Sequence, residues 1–219
     1  MNESKNKSHH STDWDAYYQH PYPTAAFSRA VTGRLLVGSI QRYTQPAQRE
    51  VVLELGGGNS CFLDRIQKAV NPREYHILDN NPIGLKLLQG RYDYNQRMFL
   101  HEQDVRQLRL SFLADIVFSV GLIEHFTGEE LEAVVAAHFL PLRPGGICIL
   151  SFPTPTWLYR TARWISESLG MWIFWDEQPL HRTKVIQLVR QSGDLLHSQI
   201  NWLAVFTQAF LVVRKAYAR

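Results

Sequence analysis

Five residues have the types and the spacing to hold a nucleotide-like ligand: Glu54, Gly56, Gly57, Gly58 and Asp79. Gly56 and Gly58 let the backbone take positive φ and approach a ligand with no Cβ in the way. Asp79 lies 21 residues after Gly58. A carboxylate about 20 residues beyond a glycine turn accepts hydrogen bonds from the two hydroxyls of a ribose. The competing role for Asp79 is a helix cap, because Asn80-Asn81-Pro82 follows and a helix is expected over 83–90. The dinucleotide fingerprint G-x-G-x-x-G fails, since its third glycine would fall on Cys61. Acid-x-Gly-x-Gly remains.

These residues need particular elements to position them. Val51–Leu55 is four apolar residues around one acid, the pattern of a buried parallel strand. After the glycines, a helix is expected from Cys61, with Ile66 and Val70 at apolar spacing. A second strand, Glu74–Leu78, ends at Asp79, and adjacent parallel strands put both loops on one carboxyl edge. A short third strand is expected near Met98–His101, a fourth at Ala114–Val120 and a fifth at Ile147–Phe152 after the turn Pro144-Gly145-Gly146. Alternating strands and helices over 51–152 predict an α/β doubly wound sheet.

The stretch Glu54-Leu55-Gly56-Gly57-Gly58 resembles the first motif of the class I S-adenosylmethionine (SAM) dependent methyltransferases, small-molecule type. The family usually has a further glycine where this chain has Ser60. The segment Gly121-Leu122-Ile123-Glu124-His125-Phe126 resembles the loop after the fourth strand in many members, and 140–152 resembles their fifth-strand region. The resemblance implies a seven-stranded, mostly parallel sheet closed by a C-terminal antiparallel hairpin. The hairpin would use Leu195–Val205 and Ala209–Val213 behind a helix around Val185–Arg190, although by length 202–213 also suits a buried helix. It further implies SAM as cofactor. Glu54 would organise the turn and help hold the cationic amino-acid end, with Gly56 to Gly58. Asp79 and Asn80 would take the ribose, and Asp104 and Val105 the adenine. Ser119 and Gly121 would stand at the methyl end. Glu124 and His125 would lie near the chemistry, with His125 or His181 as base for a hydroxyl acceptor; a structural role for His125 and an exposed-loop role for Asp104 stay open. Some quinone-type relatives bind a metal with two acids and this histidine, but Gly121 replaces one acid here, so no metal is expected.

Composition bounds the rest. A chain of 219 residues suits a single domain over 13–219, with a disordered polar tail over 1–12 and an aromatic insertion at about 153–180. The apolar fraction of 45% supplies a core. A net charge of +3, from 23 basic and 20 acidic residues, gives no reason to expect a nucleic-acid partner. Two cysteines, no apolar stretch near the first residue and no membrane-length apolar run suit the cytoplasm.

Two aromatic groups remain. Trp14, Tyr17, Tyr18, Tyr22 and Phe27 form an aromatic group that runs into an amphipathic helix expected over Ala26–Arg42. They either pack on the sheet edge or, as in the resembling enzymes, fold the Tyr17–Pro23 segment over the cofactor. The insertion holds four of the six tryptophans, and Met171–Trp175 has no polar break. It reads as a lid, an acceptor pocket or a membrane-surface contact through 156–178. The expected activity is methyl transfer to a small or amphiphilic, lipid-linked acceptor, such as a sugar or glycan hydroxyl. Aminopropyl transfer, a nicotinamide enzyme and a non-catalytic partner subunit are the alternatives.

Overall fold

The computed structural model describes residues 12–20, 25–92, 97–203 and 206–217. Residues 1–11, most of the expected tail, and Tyr22 with its flanking prolines lie outside the described residues. The tail was expected to run to residue 12, but Thr12 is buried against Asp176, to which its hydroxyl donates a hydrogen bond.

Seven strands form one sheet: β1 (Val51–Leu55), β2 (Glu74–Asp79), β3 (Met98–Glu102), β4 (Ala114–Val120), β5 (Leu142–Pro153), β6 (Gly193–Asn201) and β7 (Gln208–Lys215). Their order is β3-β2-β1-β4-β5-β7-β6. The first five are parallel, and β7 runs antiparallel between β5 and β6. This is the expected doubly wound sheet with a closing hairpin. The second hairpin strand starts at Gln208, so 202–213 is not a helix, and β6 ends at Asn201, short of the expected Val205.

All five residues of β1 are buried, because helices cover both faces of the sheet. One face carries α2 (Ala25–Tyr43), α3 (Leu63–Val70) and α4 (Pro82–Arg91), which place Leu36, Ile40, Ile66 and Leu88 against Val52, Ile77 and Phe118. The other carries α5 (Gly128–Ala137) and α7 (Arg182–Val189), with Leu131, Val134, Val185 and Val189 on Leu53, Val117 and Leu150. Each such side chain contributes roughly 1.5–3 kcal/mol by leaving water. Local signals agree with these elements. Asn81 caps α4 by accepting from Gly84 N at 2.7 Å, and Pro82 starts the helix where its missing N–H costs nothing. Asn71 ends α3 in the left-handed conformation at φ 53°.

Two elements lie at the carboxyl edge of the parallel strands. A short helix, α1 (Trp14–Gln19), sits over the turn after β1. The insertion after β5 forms α6 (Trp157–Ser168) and an irregular return to α7, pinned by Gln178 N donating to Glu124 O and Leu180 N to Pro153 O, both at 2.9 Å.

Candidate active site at the sheet switch point

Strand order reverses between β1 and β4, where open α/β sheets bind ligands outside their carboxyl ends. Gly56 after β1 and Gly121 after β4 line one cleft there, with Asp79, Asn80, Asp104 and His125 also on its wall.

The turn after β1 is held from two sides. Gly56 N and Gly57 N donate to Leu78 O at 2.8 and 3.3 Å, tying the turn to β2. Gly56 and Gly58 have φ of +68° and +29°, where a side chain would be strained. Beneath the turn, Glu54 Oε2 accepts from Ser60 Oγ and Tyr75 Oη, each at 2.7 Å. Burial pushes this carboxyl up to about 7, against the pull of those two bonds. Glu54 braces the turn from below through Ser60 and is not on the cleft wall. Ser60, standing where the family has glycine, supplies the hydroxyl that does this. A Cβ on Gly57 would come within 2.6 Å of Ile77 and 2.9 Å of Glu54. One on Gly58 would run into the Tyr18 ring. Gly57 and Gly58 therefore serve close packing of the protein on itself, and of the three glycines Gly56 faces the cleft.

Asp79 accepts from Gly58 N (2.8 Å) and Tyr18 Oη (3.0 Å) on one oxygen and from Asn81 N (2.8 Å) on the other. The helix cap is Asn81, which leaves Asp79 facing the cleft. Burial raises its pKa, and its hydrogen-bond donors oppose that rise. At the far wall, Val105 is buried and Asp104 is clasped by Arg106, whose Nε lies 3.0 Å from each carboxylate oxygen. That clasp holds Asp104 below the usual carboxylate range.

The loop after β4 begins at Gly121, φ +72°, and forms a 3₁₀ turn over Ile123–His125. Ser119, expected at the cofactor, is not on the cleft wall; its buried hydroxyl meets His138 Nε2 at 2.9 Å. Glu124 is buried with Oε2 unpartnered among the described residues, and burial raises its pKa. The His125 ring lines the cleft, with Nδ1 3.3 Å from Asp176 Oδ2 and Trp14 edge-on at 5.0 Å between ring centres. Burial alone would lower the His125 pKa, but Asp176, Glu124 and Glu177 outweigh it and raise it. Burial opposes ionisation of Asp176 too, yet His125 and Thr12 hold it well below the carboxylate range. Beside this pair, Glu177 accepts from the Tyr159 hydroxyl, and Arg163 Nη1 donates to Glu177 O at 2.9 Å. His181 is not brought here; it is exposed at the start of α7.

Sequence reasoning passed over Asp176, Glu177 and the inward side of Trp14, whereas Tyr18 lies in the segment read as folding over the cofactor or packing on the sheet edge. The available signal was Asp176-Glu177 directly after the apolar run 171–175, and it was local to the insertion.

The donor set suits an adenosyl ligand in part. Asp79 and Asp104 both line the cleft that Gly56 also lines, so it presents two carboxylates as acceptors for hydroxyl and amino groups. The Tyr18 ring lies over Gly58 and Gly84, at the end assigned to the amino acid.

Residues 52–146 match the family model described as a methyltransferase domain. The N-methyltransferase NodS from Bradyrhizobium japonicum WM9, solved with S-adenosyl-L-homocysteine (SAH), superposes with a TM-score of 0.67 at 14% identity, over 88% of this chain and 89% of that one. The magnesium protoporphyrin IX methyltransferase from Synechocystis PCC 6803, solved with bound SAH, gives 0.64 at 14% identity, over 86% and 82%. An O-methyltransferase family protein from Burkholderia thailandensis gives 0.64 at 16% identity, over 94% and 63%. No curated protein matches the chain significantly. At these identities the solved structures speak for the fold, and the family model covers the stretch with the glycine turn, Asp79, Asp104 and His125. That stretch matches a methyltransferase domain, and the chain has the fold of these methyltransferase structures.

Proposed function

We propose that this enzyme methylates a hydroxyl of a small or lipid-carried acceptor, a sugar or glycan intermediate being the kind of molecule meant. The observation that carries this reading is His125, an ionisable ring on the same cleft wall as Gly56 and Asp79 and paired with a carboxylate. An alcohol at neutral pH needs its proton accepted as the new bond forms, and imidazole is suited to that. Asp79 with Asn80 would hold the ribose, and Asp104 with the Val105 backbone the adenine once Asp104 shares its clasp with Arg106. Gly56 and Gly121 would flank the methionine and methyl end. Much of the rate would come from holding acceptor and methyl carbon in line. The cofactor, when bound, supplies an electrophilic methyl on a cationic sulfur.

An amphiphilic acceptor is favoured by a further observation. Trp157 and Trp164 on α6 are 71% and 67% exposed, and the insertion that carries them also delivers Asp176 to the cleft. Among the described residues no helix is long and apolar enough to cross a membrane. We read the chain as a cytoplasmic enzyme that meets lipid through 156–178.

Calorimetry tests the cofactor assignment. SAM and SAH are expected to bind, while decarboxylated SAM and NAD bind at least tenfold more weakly. A preference for either of the latter would replace the methyl-transfer reading with aminopropyl or hydride transfer.

A further inference from the structure

A neutral imidazole carries one proton, so only one of its nitrogens can accept another. In His125 the neighbour at Nδ1 decides which. Nδ1 is buried and lies 3.3 Å from Asp176 Oδ2, within ion-pair range. Among the described residues no hydrogen bond of good geometry engages either ring nitrogen, and the carboxylate stands at Nδ1. A carboxylate at Nδ1 keeps the proton there and leaves the lone pair on Nε2. The arrangement is held from three parts of the chain. Thr12 donates to Asp176 Oδ1 from the N-terminal side, and Trp14 stands edge-on to the imidazole at 77°. The insertion itself is tied to the 3₁₀ turn by Gln178 N on Glu124 O. The other ionisable groups facing His125 are Glu124, on its own turn, and Glu177, on the insertion.

We propose that Asp176 is the positioning residue for a His125 base: it fixes the proton on Nδ1 and leaves a bare Nε2 for the acceptor hydroxyl. The proposal rests on the hydroxyl reading above. In the step, the acceptor oxygen bonds to the methyl carbon while the carbon–sulfur bond breaks. Its electron pair goes to sulfur, which becomes a neutral thioether, and the hydroxyl proton passes to Nε2. Asp176 stays ionised and balances the imidazolium. The chain thus draws its base from the shared methyltransferase sheet and the partner of that base from its own insertion, so the segment that shapes the acceptor side also sets the protonation of the catalytic ring.

Nitrogen NMR of histidine-labelled enzyme tests this with no acceptor present. Neutral His125 in the wild type is expected to carry its proton on Nδ1. Asp176→Asn keeps the shape and removes the charge. Its His125 midpoint is expected to fall by about one pH unit, with the tautomers mixing, as removal of a close opposite charge implies. Asp176→Glu is expected to restore most of both effects. A wild-type proton on Nε2, or an unmoved midpoint in a folded Asp176→Asn, overturns the proposal. The wild-type tautomer decides even where Asp176→Asn fails to fold. SAH calorimetry runs alongside, with unchanged affinity expected in both variants. A wild type with the expected tautomer that binds no SAH would defeat the methyl-transfer reading, and the catalytic role with it, while leaving the histidine geometry intact.

Discussion

Glu54 shows how one side chain can be necessary to a site it does not touch. Its carboxyl has an ordinary value of 4.5 and is raised to about 7 in the fold, chiefly by burial. The folded chain therefore binds more protons than the unfolded chain between those values. By linkage, unfolding free energy falls as pH rises through that window and levels off above it. The amount is on the order of 3 kcal/mol. Ser60 and Tyr75 both donate to Oε2, a position a glutamine carbonyl can fill. Glu54→Gln should therefore keep the turn, and should gain relative to the wild type as pH goes from 5 to 8. Urea unfolding of both proteins at the two pH values measures this. A constant difference between them would mean that Glu54 is ionised throughout, or not buried as described.

At the scale of elements, strands and the glycine turn were legible because their signals are local. Val51–Leu55 has nowhere to be but inside, and the distance from Gly58 to Asp79 follows from one helix joining two neighbouring strands. Ser119 was harder to read, because strand alternation does not say how far along the strand the cleft reaches; its hydroxyl is taken by His138 below the cleft wall. Asp176 was illegible for another reason. It stands 51 residues from His125, and no periodicity brings an irregular segment back to a particular ring. For α1 the sequence left two readings open, and the contact that decides is Tyr18, whose hydroxyl ends on Asp79. A carboxylate offers about four acceptor sites, and three on Asp79 are already used. A ribose hydroxyl must share Oδ2 with Tyr18 or take what is left on Oδ1. Asp79→Ala should weaken SAH by roughly 1.5–3 kcal/mol, the loss of charge-assisted bonds. Tyr18→Phe should tighten it by up to about 1 kcal/mol, since a competing donor goes while the ring stays. Calorimetry compares the three proteins; weaker binding to Tyr18→Phe would make that hydroxyl part of the ligand's own site.

For the whole molecule, the question is what meets the aromatic side of the insertion. Trp157, Trp164, Leu169, Met171 and Trp175 are each more than half exposed, as are Trp202 and Leu203 at the β6–β7 turn. The two regions adjoin: Phe206 packs on Tyr159 and Trp172, and Thr156 shares a hydrogen bond of 2.6 Å with Thr207. Not every tryptophan belongs to this surface. Trp172 is buried, donates Nε1 to Phe174 O at 2.8 Å and lies under the Arg163 guanidinium, so it holds the insertion in shape. Exposed rings on α6, with the exposed Arg160 between Trp157 and Trp164, suit the boundary of an anionic bilayer, where each nearby cation contributes about 1 kcal/mol. Arg163 adds little to that, being engaged by Glu167 at 2.8 Å. Co-flotation with phosphatidylserine vesicles is expected for the wild type, weakening with salt. Trp157→Ser/Trp164→Ser should cut the floated fraction at least fivefold at unchanged melting temperature. Trp172→Ser should instead lower the melting temperature, because it opens a cavity and leaves the Phe174 carbonyl short of a donor. Absence of the wild type from the floated fraction at low salt would rule the bilayer out. The exposed rings would then have to be explained by an acceptor's own apolar tail, and the double variant should raise the KM for such an acceptor and leave SAH affinity unchanged.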